Sequence, residues 1–148
     1  MSITSHIKPS HNYVPEYQQS GIPWVLTKTL PAATIVDNKV TNLSDFKFTF
    51  DFVTRWLMIH NHDHQDTEHL RVYFSEASAE SAYDGNSQKY FLIDGGLETN
   101  RIELKTKYVY IMPDDPDISI EVSVLAGLTN ISKNDFPEQT VANGFVGV

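Results

Sequence analysis

A chain of 148 residues, 41% hydrophobic and 20% charged, is long enough for one domain with its own core, and this composition excludes wholesale disorder. A formal net charge of −8, from 19 acids against 11 Lys and Arg, disfavours nucleic acid as a partner, because phosphates demand cations. The absence of cysteine removes disulfides, thiolate metal ligands and cysteine nucleophiles, and fits a reducing compartment.

In chain order, residues 1–21 are polar and irregular, broken by Pro9, Pro15 and Gly21. They read as an extended arm with Tyr13 and Tyr17 as aromatic anchors. This start has no apolar stretch of the kind a signal peptide needs, and no later run approaches the ~20 apolar residues of a membrane span. The expectation is therefore a chain that neither enters a membrane nor carries an export signal.

Trp24-Val25-Leu26 predicts a first short strand. Ala33–Val36 and Lys39–Thr41 flank Asp37-Asn38, a pair suited to a tight hairpin turn. Phe46, Phe48 and Phe50 alternate with polar residues, as in a half-buried strand. Val53–His60 is nearly all apolar, with Arg55 inside it. A polar stretch, Asn61–Glu68, separates it from Leu70–Phe74. Two strands around a polar tip predict a hairpin.

Residues 76–89 read as a loop with one helical turn near Glu76–Tyr83. Tyr90–Ile93 predicts a strand stopped by Asp94-Gly95-Gly96. Ile102 and Leu104 alternate with charged residues, and Tyr108–Met112 continues as a strand up to the turn at Pro113–Pro116. Ile118, Ile120, Val122, Val124 and Ala126 form the clearest alternation of all. Residues 132–148 read as a C-terminal tail. The fold class expected is all-β, an antiparallel β-sandwich or jelly roll over 22–131, with an extended arm before it and a tail behind.

Little in the chain carries chemistry. His60, His62, His64 and His69 fall within ten residues, among Asp63, Asp66 and Glu68. On a strand, His60, His62 and His64 share one face, which is a metal-ligating pattern for zinc, nickel or copper. The alternative is a His-rich polar tip without the surrounding groups that orient ligands. Asp114, Asp115 and Asp117 sit in a proline-rich turn where solvation opposes general acid–base work, and they lack the glycine and distal glutamate of a calcium loop. No phosphate loop or nucleophile elbow is present. Arg55 beside Trp56 reads either as a charged contact at an oligomer interface or as an arginine whose head reaches solvent.

Several strand sequences, in order, resemble the small β-sandwich auxiliary head proteins that decorate or cement tailed-bacteriophage capsids. They are Ser20–Val25, Phe52–Leu57, Leu70–Ser75, Asp94-Gly95-Gly96 leading into Arg101–Lys107, and Val124–Ile131. The pattern covers roughly residues 20–131 and contains neither the His-rich tip nor the acidic loop after Glu76. The resemblance implies a non-enzymatic virion protein without cofactor. It would be assembled in the host cytoplasm and bound to the major capsid protein on the capsid surface, as a homo-oligomer, a trimer rather than a dimer. Tyr13, Tyr17, Trp24, Arg55 and Trp56 are its expected partner-binding residues. Two alternatives stand beside it: a carbohydrate- or receptor-binding β-sandwich module, and a metal-binding jelly roll built on His60, His62 and His64.

Overall fold

A computed structural model describes residues 21–63, 68–85 and 89–145. In chain order the strands are β1 (Ile22–Leu30), β2 (Ile35–Val36), β3 (Lys39–Val40), β4 (Lys47–Thr49), β5 (Phe52–Asn61), β6 (Leu70–Tyr73), β7 (Phe91–Ile93), β8 (Tyr108–Pro113) and β9 (Ile120–Ser132). One short helix, α1 (Glu76–Glu80), lies between β6 and β7.

The long alternation of β9 decides one sheet. Ile120, Val122, Val124, Ala126 and Leu128 are buried on one face, while Glu121 and Leu125 are exposed on the other. β1 and β5 pair antiparallel along its two edges, giving the order β1-β9-β5. Register shifts between Phe52 and Trp56 bend β5 at its start. The second sheet has the order β4-β8-β6-β7, again antiparallel. β2 and β3 form the expected small hairpin. Asp37 and Asn38 carry φ of 52° and 62°, the left-handed pair that a primed two-residue turn requires.

The two larger sheets face each other across one all-β sandwich core. Phe46, Phe48 and Phe50 are all buried there, as their spacing predicts, and Trp24 meets Phe50 edge to face at 4.7 Å. Burying such rings contributes on the order of 2 kcal/mol each. The four-stranded sheet is covered on its other side too. There the Ser75 side chain caps α1 by accepting the Ser78 N–H at 3.2 Å. Beneath the α1 region Tyr73, Tyr110 and Met112 are buried, so β8 is buried along its whole length.

Three expectations are corrected. β5 and β6 are not a hairpin: β5 pairs with β9 and β6 with β8 and β7, so the His-rich link crosses from one sheet to the other. Alternation fixes which face a residue uses and is silent about which strand lies alongside. The free edge of β5 is taken by residues 97–102 through bridges Leu57–Ile102 and His60–Glu98, so Ile102 and Leu104 belong to no named strand.

The C-terminal segment is docked rather than extended. Phe136 packs with Val53 and Ile131, and Phe145 joins them. Gln139, 2% exposed, accepts the Lys107 N–H at 2.9 Å on Oε1 and donates from Nε2 to the Phe74 carbonyl at 2.6 Å. A buried amide must find partners, and this one finds them by tying the tail to β8 and β6.

Candidate functional site

On the outer face of the three-stranded sheet Pro23, Val25 and Leu125 are exposed, Trp56 and Met58 are half-buried, and Gly127 is buried. Register sets the rows. Pro23, Gly127 and Trp56 lie across one row, and Val25, Leu125 and Met58 across the next. Val25 is 69% exposed and Leu125 is 41% exposed. Gly127 has no side chain, so a shallow pocket of about 200 Å³ opens between Pro23 and Trp56, floored by the backbone of Leu125–Gly127. Edge strand β1 borders this face and pairs only with β9 among the described residues. A partly exposed, mainly apolar patch of this kind is what a protein-docking surface needs.

Further along the same face the chemistry turns polar. Thr27, Ser123 and His60 form the third row, and the Thr27 and Ser123 hydroxyls lie 2.5 Å apart. The His62 ring nitrogen Nε2 lies 2.6 Å from Ser123 Oγ. His60 and His62 do share a face, edge to face with ring centroids 4.6 Å apart. Glu98 Oε2 stands 3.8 Å from His60 Nδ1. His64 lies outside the described residues. Among those described, no group of three or more His, Asp or Glu is placed to hold a metal ion. His69 instead faces Asp94, with Nδ1 3.0 Å from Oδ1, on the other sheet.

The remaining predicted partner-binding residues scatter. Trp24 faces inward on the core, as the Phe50 contact shows. Arg55 forms an ion pair with Glu103 at the wall of a cleft of about 490 Å³, which Phe136 and Phe145 also line. Of the three that are described, Trp56 alone lies on the outer face of the three-stranded sheet. Tyr13 and Tyr17 lie outside the described residues. Sequence reasoning missed Pro23, Val25, Met58 and Leu125 as surface residues. One signal was present: Leu125 is an apolar residue out of phase, sharing the polar face of β9 with Glu121 and Ser123.

The polar cluster of the other sheet is structural. Arg71 lies under Tyr90 and Tyr83, 4.6 and 5.6 Å from the ring centres, pairs with Asp114 and donates to the Ala82 carbonyl at 2.7 Å. Burial disfavours its charge, but the hydrogen bond to Asp114 and the neighbouring Tyr73 outweigh that and raise its pKa. Burial also pushes the Tyr83 hydroxyl up, while it donates to the Pro113 carbonyl at 2.5 Å. These groups clamp the α1 loop to the sheet.

Fold and faces together define an all-β sandwich protein, with one sheet buried on both sides along β8 and the other partly exposed on its outer face. No family model matches the chain, and no curated protein matches it. Among solved structures it is similar to IMPa from Pseudomonas aeruginosa, determined in complex with an O-glycopeptide. The TM-score is 0.39 at 13% identity, and the alignment covers 78% of this chain and 14% of that one.

Proposed function

We propose that this chain is a structural binding module of a virion that docks on the outer surface of a phage capsid. The outer face of β1, β9 and β5 is its contact surface. The single observation behind this reading is the pair of partly exposed apolar rows at Pro23–Trp56 and Val25–Met58 on an otherwise strongly acidic protein. The resemblance of the strand series to capsid-decorating proteins supplies the partner, the major capsid protein. The arm read from the sequence at residues 1–21, of which 1–20 lie outside the described residues, adds contacts to the capsid. Symmetric repetition of one modest contact on a shell, with the module as a homo-oligomer, gives avidity without a large interface. The module is not an enzyme: its role needs a rigid sandwich and a fixed face.

Co-sedimentation with capsids purified without the protein tests this. The wild type should pellet with the capsids. The double variant Val25→Lys/Leu125→Lys should melt at the wild-type temperature yet stay in the supernatant. A variant that pellets as the wild type does sinks the docking face, and a wild type that never pellets sinks the capsid as partner.

A further inference from the structure

A small pocket on the opposite sheet gathers cations in a protein that is short of them. It holds about 230 Å³ between β4, the residue before β8 and the turn after β9. Lys47, Lys107 and Lys133 line it with Thr49 and Asn134. Three of the chain's 11 Lys and Arg thus converge from three separate segments, while the chain as a whole carries −8.

Each lysine is held differently. Lys107 is 8% exposed at the floor, donating to the Glu138 carboxylate at 2.5 Å and to the Phe136 carbonyl at 3.3 Å. Lys47 lies over the Tyr108 and Tyr110 rings, 4.5 and 5.6 Å from their centres. Lys133 reaches Asp51 at a loose 3.4 Å. Glu138 pairs with Lys107 and Asp51 with Lys133, so the three ammonium groups meet two carboxylates, and Lys47 adds a net positive charge over the Tyr108 and Tyr110 rings. Ammonium groups brought together repel unless an anion comes between them.

We infer that this pocket binds a tetrahedral oxyanion, phosphate or sulfate, either free or as the ester group of a larger molecule. Lysine ammonium groups are point charges that suit such an ion, and the hydroxyl of Thr49 and the amide of Asn134 add neutral donors. The volume admits the ion together with a few waters, each of which needs about 30 Å³. The site lies on the other sheet from the proposed docking face and does not depend on it.

Titration calorimetry at constant ionic strength in chloride tests the inference, with inorganic phosphate, inorganic sulfate, phenyl phosphate and acetate as separate ligands. Saturable one-to-one binding of the phosphate and sulfate ions is expected, and phenyl phosphate shows whether the ester form also enters. Lys47→Met and Lys133→Met should each weaken binding about tenfold, equivalent to ~1.4 kcal/mol. Lys39→Met, whose lysine pairs with Glu80 outside the pocket, should leave binding unchanged. Thermal melting of each variant confirms that it is folded. The inference is overturned if neither inorganic ion binds saturably, if Lys39→Met weakens binding as much as the pocket variants, or if acetate binds as tightly as phosphate.

Discussion

β8 and β9 are neighbours in sequence and opposites in environment. Every residue of β8 is buried, because the sandwich core lies on one side and the α1 region with the docked C-terminal segment covers the other. β9 alternates, buried toward the core and open outward at Glu121 and Leu125. A strand covered on both sides has spent its surface on stability. A strand partly exposed on one side still has a face to offer, and here that face is mostly apolar around Val25, Leu125 and Met58. The contrast is between a sheet buried on both faces along β8 and a sheet with an exposed apolar row, the face proposed for docking.

The sharpest way to break that division is to cut into each part. Phe48→Ala removes a fully buried ring between the sheets and should cost about 3–5 kcal/mol, read as a lower midpoint in denaturant melts. Loss of well under 1 kcal/mol would mean that the sheets do not share this core. Gln139→Ala leaves the Lys107 N–H and the Phe74 carbonyl without their partner, at about 1–3 kcal/mol. Chymotrypsin should then cut sooner after Phe145, which packs on Phe136, and an unchanged cleavage rate would contradict docking of the tail.

Alkaline pH acts on the covered sheet. Burial pushes the Tyr83 and Tyr110 hydroxyls above their ordinary 10.0. A raised folded-state pKa means that the folded protein holds these protons more tightly than the unfolded chain does. Their contribution is therefore intact below pH ~10 and is lost as pH rises above it. Melting temperature should fall above that pH, and absorbance near 295 nm should show tyrosinate appearing with unfolding. Tyrosinate that forms fully while the fold persists would refute the burial. The smallest effect belongs to the hairpin: Asn38→Gly, at φ 62°, should raise stability by a few tenths of a kcal/mol and leave binding alone.

What was legible in the sequence were the features that act locally. The alternation of β9, the phenylalanines at 46, 48 and 50, the Asp37-Asn38 turn and the helical turn after Ser75 each depend on a few adjacent residues. Partnership between strands was not legible. The polar residues 61–68 look the same whether they close a hairpin or cross between sheets, and only the pairing of β5 with β9 and with residues 97–102 separates the two. The burial of Gln139 and Lys107 was equally hidden, since polar residues in a C-terminal stretch read as solvated until a buried partner is in place. Of the candidate site, Trp56 was visible from its residue type, whereas Val25, Met58 and Leu125 became a patch only through register.

Hydroxyl-radical footprinting of the protein on and off capsids tests the docking face most directly. Trp56 and Met58 are half-buried side chains of that face and both oxidise readily. The account predicts that capsid binding protects Trp56 and Met58 while Met112, already buried in β8, is labelled weakly in both states. Capsid-bound protein whose Trp56 and Met58 remain as reactive as in the free protein would contradict it.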